Sequence, residues 1–327
     1  MKEGIFLFLI LCSIAPGVFD EKNYPSHFPD PVHSSTFDKS KFELGRALFY
    51  DPILSRDSSI SCASCHSPFN AFAHTDHDLS HGIDDRIGTR NAPALMNLAW
   101  QENFMWDGSV KHLHAQALIP IEDEREMDQD LEVLLFKLKN SELYEKLFMA
   151  SYDDPAISIP NMLNALEHFQ LQLISSNSKY DQVQQGLATF NMQEKKGHEL
   201  FKLHCNSCHT EPLFSNYELR TNNLPIDTTL NDYGHMSFSK KPSDSLLFKV
   251  PSLRNLSYSF PYMHDGRFQN LNEVLDHYRK NVLQELNPNS KFSSNDIVDL
   301  KTFLLTLNDK EFVFNKELRY PIQTFKP

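Results

Sequence analysis

The stretch RDSSISCASCHSPFNAFAH (56–74) contains Cys62, Cys65 and His66 in the order C-x-x-C-H, and FKLHCNSCHTEPLFSN (201–216) repeats that order with Cys205, Cys208 and His209. Four of the five cysteines therefore sit in two identical pentapeptides. C-x-x-C-H is the attachment signature of c-type haem. The two thiols become thioethers to the porphyrin vinyl groups, and the adjacent histidine is delivered beneath the iron as proximal ligand. A zinc site would place two C-x-x-C units much closer together in sequence. Disulfides are compatible with export but would leave both histidines unexplained. The reading is two covalently attached c-type haems, one per pentapeptide.

Working outward, the two halves match beyond these motifs. GRALF (45–49) precedes the first and GHELF (197–201) the second, each resembling one turn of an amphipathic helix, the second opened by a capping box of Asn191 and Glu194. APALMNLAWQENFMWDG (92–108) matches VPSLRNLSYSFPYMHDG (250–266), sharing P-x-L-x-N-L, an aromatic stretch, a methionine and a D-G turn. Each half is then expected to enter a helix, in VKHLHAQALIP (110–120) and in LNEVLDHYRK (271–280), and a bridging helix is expected in NMLNALEHFQLQLISS (161–176). β-Branched runs are few and short. The chain is read as mainly α, a tandem duplication with residues 23–185 as one domain and 186–327 as the other.

The match also distinguishes the two iron sites. Trp106 of W-D-G is equivalent to His264 of H-D-G, and at the same distance beyond them stand Pro120 and Tyr278. Tyrosine can ligate iron and proline cannot, so the second haem is expected to be closed and the first open.

Composition narrows the partners. The 327 residues carry a net charge of −12, which disfavours nucleic acid or an anionic membrane and suits a basic electron-transfer protein. The start, MKEGIFLFLILCSIAPGVFDEKNYP, has an apolar run too short for a confident spanning helix. We read residues 1–22 as an export signal, placing the mature protein in the periplasm. Cys12 is a candidate for a lipid anchor, although Leu11 stands where a small residue is wanted.

With these residues in view, the sequence resembles the bacterial dihaem cytochrome c peroxidase/MauG family over almost the whole mature chain. The resemblance is carried by both C-x-x-C-H motifs, GTRNAPALMNLAW, FMWDG, QALIPIEDEREM, VPSLRNL and PYMHDGRF. It implies two cytochrome c-like domains, the N-terminal one with the peroxidatic haem and the C-terminal one with the electron-transfer haem. It implies reduction of hydrogen peroxide to water with electrons from a small cytochrome c or cupredoxin. Those electrons would enter at the C-terminal haem and pass by Trp106 to the N-terminal haem. Glu126 matches the distal acid–base glutamate, Gln116 a distal-pocket glutamine and Pro120 a pocket proline. Asn91, Ser259 and Pro261 match positions that help hold an interdomain calcium ion, chiefly through backbone oxygens. Homodimerisation is implied as well.

The physical logic agrees. A partly desolvated glutamate with a raised pKa can take a proton from one peroxide oxygen and return it to the other. Glutamine cannot exchange that proton but can orient peroxide by hydrogen bonding. Without the pattern around it, Glu126 would read as a solvated surface charge and Trp106 as a core aromatic. Arg90 and Arg254 are expected to pair with haem propionates as fixed cations.

Two positions depart from the well-studied peroxidases. Those close the second haem with methionine where Tyr278 stands, and tyrosine there is the MauG-like pattern. An anionic oxygen ligand lowers the potential, whereas a thioether raises it. Met263 and His277 are rivals for that ligand position, and Met263 aligns with Met105, which points to packing. His81, in SHGIDDRIGTRN, matches the loop histidine that closes the peroxidatic haem in resting forms of some relatives and leaves on reduction. The loop here is two residues longer, His74 and His77 lie close by, and a surface histidine is the plain alternative. Two other functions stay open. One is peroxide-dependent oxidation of a partner protein, which Tyr278 favours. The other is a non-enzymatic dihaem electron carrier, against which the pocket of Glu126, Gln116 and Pro120 counts.

Overall fold

Two crossed helix pairs form the frame of the protein, one in each half. Lys39–Tyr50 packs across Ile159–Leu171, and Met192–His204 packs across Ser294–Leu305. Each helix starts where a side-chain oxygen accepts otherwise orphaned backbone donors. Asp38 takes Ser40 and Lys41, Ser158 takes Asn161, and the pairs Asn191/Glu194 and Ser293/Asp296 form capping boxes, each cap worth about 1 kcal/mol. This computed structural model describes residues 24–154, 156–283 and 292–326. The expected export signal, with Cys12, lies outside the described residues. Among the described residues no helix is long and apolar enough to cross a membrane.

The glycines of GRALF and GHELF mark the two crossings. A β-carbon on Gly45 would run into the Ala165 carbonyl, and one on Gly197 into the Asp299 carbonyl, so each glycine lets two backbones touch. Around each crossing three phenylalanines pack in the same way. Ring centroids are 5.0 Å apart for Phe49–Phe169, 6.0 Å for Phe49–Phe72 and 6.4 Å for Phe72–Phe169. Their counterparts lie at 5.2 Å for Phe201–Phe303, 5.4 Å for Phe201–Phe214 and 6.2 Å for Phe214–Phe303. The repeat in sequence is therefore a repeat of the core. Among the described residues the chain is mainly helical, with one short antiparallel ribbon in which Leu219 faces Lys249 and Arg220 faces Phe248.

The chain divides differently from the sequence reading. The helix expected over 161–176 ends at Leu171 and belongs to the first core through Met162, Leu166 and Phe169. Tyr180 already packs in the second core, ahead of the expected boundary after residue 185, while Phe312, Val313 and Leu318 return to the first. Tyr50 Oη donates to the Leu318 carbonyl at 2.7 Å to fasten that return. Apolar side chains need a core, and those of the terminal segment are buried in the first one. The helix expected over 110–120 is two short helices, Leu113–Gln116 and Leu118–Glu122. The one over 271–280 is Leu271–His277 followed by a π turn, Tyr278–Val282.

The repeated N-L asparagines hold the connector between the halves. Asn97 exchanges two hydrogen bonds with the Ser175 backbone, at 2.9 and 3.1 Å, and Asn255 donates to Ser175 Oγ at 2.9 Å. Across the junction the halves exchange backbone bonds reciprocally. Asn91 N donates to the His264 carbonyl at 2.7 Å, and Lys249 N donates to the Trp106 carbonyl at 2.7 Å. Asn91 and Lys249 are equivalent positions in the repeat, as are Trp106 and His264, so this contact has the character of an isologous interface within one chain.

Replacing Gly45 or Gly197 by alanine is expected to destabilise the protein by about 1–3 kcal/mol through overpacking, measured by denaturant unfolding. Alanine at an uncrowded helical site would instead stabilise by about 1 kcal/mol, and that outcome would refute the close crossing.

Candidate active site

The two pentapeptides meet in one cavity of ≈ 530 Å³. In the first half, Cys62–Cys65 is a single helical turn, which places both sulfurs three residues apart on one side, and His66 N closes it onto the Cys62 carbonyl at 2.9 Å. His209 N makes the same bond to the Cys205 carbonyl at 2.9 Å. Cys65, His66, Cys205, Cys208 and His209 line the cavity, and Cys62 packs against the core beside it.

Both histidines are prepared in the same way. Burial drives His66 and His209 down to about 4, against the opposing pull of backbone carbonyls, so both rings are neutral at neutral pH. His66 Nδ1 donates to the Phe72 carbonyl at 2.8 Å and also faces that of Pro93. His209 Nδ1 donates to the Pro251 carbonyl at 3.1 Å and the Phe214 carbonyl at 3.2 Å. Pro93 and Pro251 are repeat equivalents. Fixing the proton on Nδ1 leaves the Nε2 lone pair as the metal-binding atom. Burial also pushes the thiols of Cys62 and Cys205 up to about 12 and that of Cys65 up to about 11. Such surroundings oppose the thiolates that zinc requires and suit uncharged thioether sulfurs. The four cysteines are unbridged. The residues present fit two covalently attached haems.

The ends of the cavity differ. Near the first pentapeptide the wall contains Trp106, Gln116, Pro120 and Glu126. Glu126 sits in a turn closed by its N–H on the Asp123 carbonyl at 3.0 Å, while its own carbonyl accepts from Ile83 N at 2.8 Å. Burial, with a smaller push from Asp123 and an opposing pull from Arg125, raises its carboxyl to about 7. Gln116 Nε2 lies 3.6 Å from Met105 Sδ. Trp106 donates its indole N–H to the Asn91 carbonyl at 2.8 Å.

Near the second pentapeptide stand Tyr278 and Met263, and Asn222 contacts both, Met263 Sδ at 3.4 Å and the Tyr278 hydroxyl by a hydrogen bond. Burial raises the Tyr278 hydroxyl to about 12, Asn222 pulls it back, and the cysteine pair adds to the rise. His277 is turned to other work. Its Nε2 lies 2.9 Å from the Asn222 carbonyl, its Nδ1 is 3.0 Å from Asn281 Nδ2, and it is absent from the cavity wall.

The His81 loop covers the Glu126 turn, and a β-carbon on Gly82 would collide with Arg125 and Glu126 backbone. The His81 carbonyl accepts from Cys65 Sγ at 3.7 Å, but its ring points elsewhere. It stacks on His77 with centroids 4.0 Å apart and pairs with Asp85 at 3.0 Å, outside the cavity wall. Asn91, Ser259 and Pro261 do share the cavity wall. Asn91 Nδ2 donates to the Asp78 carbonyl at 3.0 Å, and Ser259 Oγ to the Asn255 carbonyl at 3.4 Å.

The arginines are committed to carboxylates instead of being free for propionates. Arg90 bonds Asp107 at 2.9 Å and Asp232 at 2.6 and 2.8 Å. Arg254 is fully buried, bonds Asp181 bidentately at 2.8 and 2.7 Å, and lies 4.8 Å from the Phe28 ring centroid. Removing either partner of the fully buried Arg254–Asp181 pair costs about 3–5 kcal/mol, so Arg254 is a structural cation. The sequence reading missed Tyr217, Phe248 and Lys249, all in the cavity wall. Phe248 stacks on His264 with centroids 3.8 Å apart. The signal available for Phe248 and Lys249 was their alignment with Arg90 and Asn91.

Comparison with known proteins agrees with this geometry. The family model for di-haem cytochrome c peroxidase matches residues 39–189. The chain is 34% identical to the methylamine utilization protein MauG of Methylophilus methylotrophus, covering 80% of this chain and 78% of that one. It is 29% identical to the cytochrome c551 peroxidase of Nitrosomonas europaea, covering 87% and 85%. Its fold is similar to the crystal structure of a MauG-like protein associated with microbial copper homeostasis, with a TM-score of 0.79 and 26% identity over 92% of this chain and 99% of that one. The chain belongs to the di-haem cytochrome c peroxidase/MauG family of haem-dependent oxidoreductases.

Proposed function

We propose that this protein is a periplasmic peroxidase that reduces hydrogen peroxide to two waters, drawing two electrons from a small cytochrome c or cupredoxin and two protons from solvent. Cys62, Cys65 and His66 would hold one haem in the N-terminal half, and Cys205, Cys208 and His209 the other in the C-terminal half. When bound, the haem iron supplies the electrons that cleave the O–O bond. The single observation that carries the reading is the difference between the ends of a duplicated cavity. Where the second half presents Tyr278, the first presents Pro120, with Glu126 beside it.

Glu126 provides the proton traffic. Its carboxylate takes a proton from one peroxide oxygen and returns it to the other as water forms, a role matched to a pKa near neutrality. Gln116 orients the peroxide through its amide. Pro120 keeps the space free of a ligand. Trp106, whose indole N–H is held by the Asn91 carbonyl at the junction, relays charge between the halves in this reading. Tyr278 would supply an oxygen ligand to the second haem. Asn91, Ser259 and Pro261 offer backbone oxygens for a calcium ion at the same junction.

Tyr278 also favours a second reading, peroxide-dependent oxidation of a partner protein. An oxygen ligand holds the second haem at low potential, which suits accumulation of oxidising equivalents better than acceptance of electrons from a cytochrome.

Glu126→Gln is expected to lower peroxide turnover by about 10²–10⁴-fold with both haems attached. The carboxylate form is lost as pH falls through about 7, so wild-type turnover should decline on the acid side of that value. Full activity in the variant would remove Glu126 from the mechanism. Tyr278→Met should raise the reduction potential of one haem in a spectroelectrochemical titration and speed reduction by a small cytochrome. An unchanged pair of potentials would exclude Tyr278 as a ligand.

A further inference from the structure

The arginine and lysine side chains lining the cavity are not alike. Arg90 is held by Asp107 and Asp232, Arg125 lies 3.6 Å from Asp123, and Arg220 lies 2.5 Å from Glu218. Lys249 has no carboxylate partner among the described residues. Its Nζ donates to Gln101 Oε1 at 2.5 Å and to the Asn103 carbonyl at 3.1 Å, both neutral. Burial drives its ammonium down to about 7, with only a distant contribution from Asp107 opposing this.

A second polar group in the same wall lacks a partner. Tyr217 is 7% exposed, lines the cavity, and its hydroxyl makes no hydrogen bond among the described residues. An unsatisfied buried hydroxyl is destabilising, so this arrangement wants an acceptor from outside the chain. Tyr217 and Phe104 belong to one apolar cluster, the Lys249 ammonium lies 6.0 Å from the Phe104 ring centroid, and Lys249 pairs with Leu219, two residues beyond Tyr217, in the short ribbon. The Lys249 backbone is fixed by its bond to the Trp106 carbonyl. In the repeat, Lys249 stands where the first half has the neutral Asn91. One side of the junction therefore carries an ionisable amine where the other carries a neutral amide, and the arginines expected to meet propionates have carboxylates of their own.

We propose that Lys249 and Tyr217 form a carboxylate site, and that its occupant is a propionate of a haem held in the cavity. This inference rests on the dihaem reading above. The ammonium supplies the countercharge, the phenol donates a hydrogen bond, and the pair fixes the porphyrin edge beside the Trp106 junction. A fixed cation at a propionate also favours the reduced state of that haem.

The test compares wild-type holoprotein with Lys249→Met and Tyr217→Phe. Haem content is measured by pyridine haemochrome, followed by spectroelectrochemical titration of both haems. Lys249→Met should shift the reduction equilibrium of one haem about tenfold toward the oxidised form, which is about 59 mV for one electron. Tyr217→Phe should move the same haem in the same direction by less, and it provides the answer if Lys249→Met does not fold. Potentials unchanged in the loaded variants would overturn the site. A wild-type potential that moves with added acetate at constant ionic strength, and ceases to do so in Lys249→Met, would assign the site to a free anion and overturn the propionate. A wild-type protein with no covalent haem would instead overturn the dihaem reading.

Discussion

The rest of the structure depends on the reciprocal backbone exchange at the junction, Asn91 to His264 and Lys249 to Trp106. These two bonds join equivalent positions of a duplicated unit, so each half is aligned by the same constraint. They place Trp106 in the wall of a cavity that both haem-attachment motifs share. Side chains then reinforce the junction. Arg90 reaches from the first half to Asp232 in the second, and Lys249 reaches back to Gln101. A backbone contact is an economical anchor because it survives divergence of side chains. Arg90 could become Phe248, and Asn91 could become Lys249, without disturbing the frame.

Within that symmetric frame the chemistry is asymmetric. The glycine crossings, the phenylalanine triads and the carbonyl-bound histidines recur in both halves and concern support of a haem. The differences fall on the distal side. Glu126 is a carboxylate kept near neutrality by burial, which is costly for stability and useful for proton transfer. Tyr278 is a phenol buried beside the other cysteine pair. A duplicated electron carrier would have no reason to bury a carboxyl at one end of the cavity and a phenol at the other.

Much of this was legible in the sequence because it rests on local spacing. C-x-x-C-H fixes two sulfurs and an imidazole within a single turn, and GRALF and GHELF mark equivalent helical turns ahead of it, whereas the crossings at Gly45 and Gly197 show only once the partner helices are in place. The equivalence of Pro120 and Tyr278 followed from the same alignment. What was hidden depends on partners distant in the chain. Nothing near Arg254 announces Asp181, and nothing near Arg90 announces Asp232, so both arginines looked free for a ligand. The return of Phe312 and Leu318 to the first core is a matter of filling space, which hydrophobic pattern alone does not assign. The ring of His81 is set by His77 and Asp85 through a loop whose path the sequence does not encode simply. Lys249 was visible as a repeat position, but its lack of a countercharge could be seen only once its neighbours were in place.

On the reading proposed above, one frame holds two unlike iron sites, open in the first half and closed in the second. That asymmetry is tested most directly by the EPR and ultraviolet–visible spectra of the purified dihaem protein, oxidised and after addition of one electron. With the His81 ring outside the cavity and Pro120 unable to ligate, the account requires one high-spin and one low-spin ferric haem in the oxidised protein. Two low-spin haems that both stay closed after one-electron reduction would contradict it and leave an electron carrier in its place.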